Sequence, residues 1–348
     1  MTDIDVERIE LTRACVLSGN SIVVSSVKSN ADVYEPKSVV WRYSEAGGAA
    51  RWKAREMDLH VEKIIPSNKP DDCIVLSAEG EVVVDVFTGA TAERIVGAGT
   101  WIDGSKGYGR LLSIAWVNET LFASGNGGQI YVRGDKDWRL LTDTILFDPE
   151  AHARISRTAP PTTDPGFLQW LMDSRSQRPR NISLHDVAGQ NTNSVYACGV
   201  DGTKPVLFFW DGTALHELKV HLEETALTGI YIENEDSVWI CGREGVLLHG
   251  SNARGFTPVS LRSQLNLFHM VRPYRGNLVL PSSVRPGGLF EIDKASSDLR
   301  RFTPRMPEMH GDYIFHSEAS NDALWVVGQK DIFRFDGNAW ERKQKPDL

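Results

Sequence analysis

The sequence predicts an all-β chain folded as a single β-propeller, most simply seven blades of four strands with a short helical insertion. Three observations predict it. A glycine-punctuated pair of apolar runs recurs along the chain, the copies stand about 40 to 50 residues apart, and helical periodicity is confined to one long insertion.

The clearest copies begin at Leu121 (LFASGNGGQIYVRGDKDWRLL), Val195 (VYACGVDGTKPVLFFWDGTALHEL), Val238 (VWICGREGVLLHGSNARGFTPV) and Leu324 (LWVVGQKDIFRFDGNAWERK). In each, a mostly apolar run precedes Gly125, Gly199, Gly242 or Gly328. After two further residues comes Gly128, Gly202, Gly245 or Asp331, and then a second apolar run. Glycine accepts the positive φ that short hairpins demand, so the unit reads as a buried strand, a tight turn and a second strand. A further turn at Gly134-Asp135, Asp211-Gly212 or Asp336-Gly337 leads to Trp138, Leu215 or Trp340 in an outer strand.

Diverged copies lie at Cys73 (CIVLSAEGEVVVDVFTG), where Ala78 takes the place of the first glycine, and at Asn277 (NLVLPSSVRPGGLFEID), where the turn is longer. Another pairs SIVVSS at Ser21 with SVVWRYSE at Ser38. Candidate innermost strands precede the middle ones: LLSIAWV at Leu111, ISLHDVA at Ile182, LTGIYIE at Leu227, LFHMVRP at Leu267 and YIFHSEA at Tyr313. The expected blades are 9–57, 58–96, 110–144, 182–220, 226–260, 266–304 and 312–345, with insertions at 96–110 and 145–181. Both terminal units hold four strands of their own, so no strand exchange closes the ring unless Ile4 to Leu11 supply one. Six or eight blades, and a two-domain β-sandwich, stay open as alternatives.

The 348 residues are 41% hydrophobic and 24% charged, ordinary for a folded soluble chain. Met1 to Glu10 lacks the basic and apolar regions of a secretory signal, and no stretch has the apolar length of a membrane span, so a cytoplasmic location is expected. Cys15, Cys73, Cys198 and Cys241 form no CxxC pair, and three of them sit in apolar runs as small hydrophobes, so neither disulfides nor a zinc site is expected. A net charge of −8 disfavours nucleic acid or an anionic membrane as the main ligand and suits a basic protein partner, although acidic charge also serves solubility alone.

The apolar run, glycine pair, turn and aromatic together resemble BNR-type, sialidase-like repeats, particularly those of photosystem II assembly factors and of bacterial propellers of unassigned role. The resemblance covers most of the chain as a pattern. The Asp-box Ser-x-Asp-x-Gly-x-Thr-Trp is absent, and Asp336-Gly337-Asn338-Ala339-Trp340 is its nearest echo, which weighs against sialidase activity. Such propellers occur among immunity proteins, so the resemblance implies a monomeric, non-enzymatic binding part that occludes a toxin domain. An assembly or scaffolding factor is the second expectation, and a carbohydrate-active or glycan-binding propeller the third.

In a propeller the turns between second and third strands share a face with the links between blades. The long irregular segments fall on those links: Val96 to Arg110 between blades two and three, and Ile145 to Asn181 between blades three and four. Asp148-Pro149-Glu150 carries an N-cap, a first-turn proline and an early carboxylate, and Asp164-Pro165 opens a second helix with Phe167, Leu168, Trp170 and Leu171. Two readings of that helix stand. Either Phe167, Trp170 and Leu171 pack down on the propeller as a cap, or Trp170 and Arg175 remain available as anchors, joined by Trp101 and Tyr108 and by the turn residues Asn126, Asp201, Arg243 and Glu244.

No reactive constellation competes with this reading. Gly97, Gly99, Gly104, Gly107 and Gly109 match neither GxxxxGK[ST] nor GxGxxG before a helix, and Asp148, Glu150 and His152 fit capping better than a metal site. Glu223-Glu224 and Asp71-Asp72 read as exposed charge between blades, no GxSxG occurs, and His185, His269 and His316 fall in inner strands that line the channel. No cofactor is expected.

Overall fold

The computed structural model describes residues 9–28, 37–100, 102–135, 137–261, 267–284, 287–311, 313–320 and 323–344. Its strands form seven four-stranded antiparallel sheets, each taken from consecutive chain segments. Blade 1 holds β1 to β4 (Ile9–Ser18, Ser21–Lys28, Ser38–Ser44, Trp52–Met57), and blade 2 holds β5 to β8 (Val61–Pro66, Cys73–Ser77, Glu81–Val84, Thr91–Arg94). Blade 3 holds β9 to β12 (Leu111–Val117, Thr120–Gly125, Ile130–Arg133, Trp138–Leu140), and blade 4 holds β13 to β16 (Ile182–Asn191, Ser194–Asp201, Lys204–Trp210, Leu215–Glu217). Blade 5 holds β17 to β20 (Leu227–Asn234, Ser237–Gly242, Leu247–Ser251, Gly255–Pro258), and blade 6 holds β21 to β24 (Arg272–Tyr274, Asn277–Ser282, Gly288–Ile292, Leu299–Arg301). Blade 7 holds β25 to β28 (Ile314–Ser320, Ala323–Gly328, Ile332–Phe335, Trp340–Lys343). Two helices, α1 (Pro149–Arg157) and α2 (Phe167–Arg175), lie between blades 3 and 4.

The core sits between blades rather than within them. Each apolar cluster joins neighbouring sheets, as when Ile74, Leu76 and Val82 of blade 2 meet Leu111, Ile114 and Leu121 of blade 3. The second strands are buried on both faces, which is why they read as unbroken apolar runs such as CIVLS and ALWVVG. All four cysteines are buried, and burial drives the Cys241 thiol up to about 12, so they pack as hydrophobes.

Blade 7 closes onto blade 1 without exchanging a strand. The Leu11 amide donates to the Gln329 carbonyl at 2.8 Å, and the Trp52 indole donates to the Gln344 carbonyl at 2.9 Å. Trp325, Val327 and Ile332 share a cluster with Leu11, Val16, Ile22 and Tyr43. Ile9 to Leu11 pair with β2 inside their own blade, and residues 4–8 lie outside the described residues.

One irregularity repeats around the ring. Leu11, Val61, Leu111, Leu184, Leu227 and Ile314 each face a small residue on the second strand, namely Ser26, Ser77, Gly125, Gly199, Gly242 and Gly328, and the register then slips by one residue. In blade 6 the slip falls between the Phe268–Ser282 bridge and the Arg272–Val279 pair, so its inner strand is Arg272–Tyr274 and not the whole run from Leu267. Every inner strand is therefore bulged at the same height.

The bulge corrects the expected role of the first glycine. The second glycine of each copy does adopt positive φ, as at Gly128 (71°), Gly202 (63°) and Gly245 (70°). The first is there for space: a Cβ on Gly199 would lie 1.8 Å from the Ser183 carbonyl oxygen, and one on Gly242 would lie 2.4 Å from that of Ala226. The register also moves the diverged copy by one place, since Ser77, not Ala78, stands opposite Val61.

Candidate functional site

Turns between second and third strands gather on one face with the inter-blade links. The Asn126 amide donates to the Arg110 carbonyl at 2.8 Å, that of Phe147 to Gly127 at 2.9 Å, and that of Gly128 to Ile182 at 2.8 Å. A Cβ on Gly107 would meet Pro149 at 3.6 Å, so the 96–110 link and the foot of the helical insertion are neighbours. Further round, the Arg243 amide donates to the Ala226 carbonyl at 3.0 Å.

The expected binding residues fall into three situations on this face. Tyr108 and Asn126 come together at the foot of the insertion, with the Asn126 side chain packed over Gly109 and the Tyr108 carbonyl over Gly127. Asp201 is engaged by Arg180 at 2.6 Å, and the Glu244 carboxylate accepts the Thr225 hydroxyl, while the Arg243 side chain is exposed. Trp170 serves the insertion itself: its indole donates to the Thr158 hydroxyl at 3.1 Å, its ring stacks with Phe167 at 6.0 Å, and Arg178 lies 5.6 Å from its ring centre. Arg175 is exposed, and Trp101 lies outside the described residues.

The insertion does not lie down on the propeller as a cap. In α1 the Asp148 side chain accepts the Ala151 amide at 2.9 Å, with Pro149 and Glu150 in the first turn and Arg154 and Arg157 in the last. No apolar residue of α1 or α2 joins a core cluster. Trp170 and Phe167 are half-buried against their own hairpin, which turns Leu168, Leu171 and Met172 outward at 70%, 40% and 63% exposure. The (i, i+4) pair Leu168 and Met172 is visible in the sequence, but its direction depends on Trp170 being drawn to Thr158, which no spacing reveals.

The propeller axis holds a cavity of about 470 Å³ lined by the bulged strands. The bulged residues are Glu62, His185 and His269 in the even-numbered blades and Thr12, Leu112, Thr228 and Phe315 in the odd-numbered ones. The next positions include Arg13, Lys63, Asp186, Met270 and His316. The Glu62 carboxylate accepts from Arg13 at 2.9 Å and Arg110 at 3.1 Å, with His60 at 3.4 Å. Asp186 accepts from Ser113 at 2.8 Å and the Ile230 amide at 3.0 Å, with Lys63 at 3.5 Å. Glu318 accepts the Val16 amide at 2.9 Å and lies 3.3 Å from His316.

Burial pushes all three carboxyls upward, and these partners outweigh it. The His60 hydrogen bond with the Arg13 and Arg110 charges holds Glu62 below its usual range; Lys63 and Arg272 do so for Asp186, and His316 and Arg272 for Glu318. Burial holds His185 and His316 down in the neutral form, and together with the Arg13 and Arg243 charges it takes His269 to about 4. Glycosidic cleavage needs one carboxyl kept protonated as the acid, and each of these three is held ionised.

No protein-family model matches this sequence. The immune protein Tsi7 of Pseudomonas aeruginosa is 25% identical over 246 residues, which span 69% of this chain and 66% of that protein, just under two thirds of its length. Among solved structures, virginiamycin B lyase from Staphylococcus aureus superimposes with a TM-score of 0.61 at 10% identity, covering 94% of this chain and 93% of that one. YCF48 from Cyanidioschyzon merolae does so with a TM-score of 0.58 at 14% identity, covering 94% of both chains. The WD40 propeller domain of Doa1 reaches 0.62 at 8% identity, over 94% of this chain and 93% of its own. Likenesses at such identities carry the fold alone.

Proposed function

We propose that this chain is a protein-binding propeller of the immunity kind, which captures a toxin domain and occludes it sterically. The observation that carries the reading is the outward apolar face of α2, Leu168, Leu171 and Met172, on a helix from which no residue joins a core cluster among the described residues. Exposed large apolar side chains grouped on one helix mark an interaction surface more often than a solvent face. The likeness to Tsi7, an immune protein, supports the class of partner. Tyr108, Asn126 and Arg243 on the same face supply polar contacts around that anchor.

The partner meets this helix through an apolar groove. The insertion carries five arginines against four carboxylates, so the chain's net charge of −8 resides elsewhere and acts on a basic partner at a distance, raising encounter rate rather than contact energy. The test pairs this chain with candidate toxin domains taken from the genes neighbouring its own. Co-expression is expected to restore growth, and Leu168→Glu with Met172→Glu to weaken capture by at least about thirtyfold, roughly 2 kcal/mol. Undiminished capture by that double variant overturns the anchor, and failure of the wild-type chain to protect overturns the immunity reading. The second reading, an assembly or scaffolding factor, draws on the shared fold with YCF48; a complex subunit encoded alongside, in place of a toxin, favours it.

A further inference from the structure

The axial cavity lies apart from α2 and plays no part in the capture mechanism. Its polar groups are unevenly satisfied. Three of the four lining carboxylates are engaged, Glu62 by Arg13 and Arg110, Asp186 by Ser113 and the Ile230 amide, and Glu318 by the Val16 amide, while Glu10 has no partner among the described residues. Several nitrogens are open as well. Arg272 spends Nη1 on the carbonyls of Ile230 at 3.1 Å and Val271 at 2.9 Å, and its other nitrogens have no partner among the described residues. Among the described residues Lys63 Nζ reaches only Asp186, at 3.5 Å. His269 Nε2 is buried without a partner among the described residues. A buried polar nitrogen left unmatched costs about 1–3 kcal/mol, which a ligand acceptor recovers.

We propose that this channel is a binding site for a small organic anion, a carboxylate or phosphate ester with an apolar body, held by Arg272, Lys63 and His269. The volume, about 470 Å³, suits such a ligand. Leu112, Met270 and Phe315 supply the apolar wall, each from a different blade. A metal ion fits poorly, since among the described residues no three His, Cys, Asp or Glu side chains are grouped to hold one.

Calorimetric titration of the full chain with citrate and with AMP tests this, with spermidine as the cationic control. At least one anion is expected to bind with a dissociation constant below about 1 mM, citrate alone identifying a carboxylate site and AMP alone a phosphate ester site. Arg272→Gln is expected to weaken it at least about tenfold, the loss of one charge-assisted bond. Leu112→Trp fills the channel without changing its charge and abolishes binding, so the test survives if Arg272→Gln fails to fold. Arg300→Gln, on the outer strand β24, leaves affinity unchanged. No saturation by either anion at about 10 mM, or equal binding by Leu112→Trp and the wild type, overturns the proposal.

Discussion

Gly199 and Gly202 stand three positions apart in one hairpin and are glycine for different reasons. Gly202 turns the chain at a φ of 63° with open space around it, whereas Gly199 is crowded by the Ser183 carbonyl at the bulge. Strain at a left-handed position costs about 1–2 kcal/mol, while a Cβ driven into backbone forces the sheet apart. Gly199→Ala is therefore expected to lose at least about 3 kcal/mol in urea denaturation and Gly202→Ala only about 1 kcal/mol. Equal losses would show that turn geometry, not the bulge, sets the requirement. The recurring glycine was legible in the sequence. Its reason was not, because the obstructing carbonyl belongs to a strand whose register only pairing reveals.

The helical insertion separates folding from binding. Capping chemistry at Asp148-Pro149-Glu150 predicts α1, and α1 forms with that N-cap. The packing of α2 is where sequence reading fell short, since Phe167, Trp170 and Leu171 were equally suited to face the propeller. Trp170 instead serves Thr158 and Arg178, and the neighbouring apolar residues turn outward. Because no core cluster among the described residues includes α2, Leu168→Glu with Met172→Glu is expected to change unfolding free energy by no more than about 0.5 kcal/mol. Trp325→Ala, at a fully buried residue of the closing interface, serves as the contrast and loses about 3–5 kcal/mol. A large loss in the double variant would place the insertion in the folding unit.

At the scale of the ring, seven bulged strands bring titratable groups from distant parts of the chain to one axis, and the pH dependence of stability reports on them together. His185, His269 and His316 have depressed pKa values in the folded state, so the unfolded chain binds protons that the folded chain refuses. Their contribution is present above the unfolded value of about 6.5 and is lost as pH falls toward the folded values, about 4 for His269. Glu62, Asp186 and Glu318 are depressed too, so their contribution is lost at still lower pH, beneath about 4. Thermal denaturation from pH 7 to 4 is expected to show a steady fall in stability, and His269→Gln to remove up to about 3 kcal/mol of it. An unchanged slope in that variant would mean that His269 is not held neutral.

The sequence by itself determined the architecture, because a four-strand blade is a local unit: its apolar alternation, turn glycines and Asp-Gly corners all lie within about 40 residues and repeat. It also located the long links on one face, through the fixed geometry of strand order. Only the tertiary structure decided which side chains face outward on α2, why the first glycine is small, and how Arg13, Glu62, Asp186, Arg272 and Glu318 meet at the axis. Those features arise from contacts between blades far apart in the chain, and a one-residue slip at each bulge changes which residue points inward, so no local pattern encodes them.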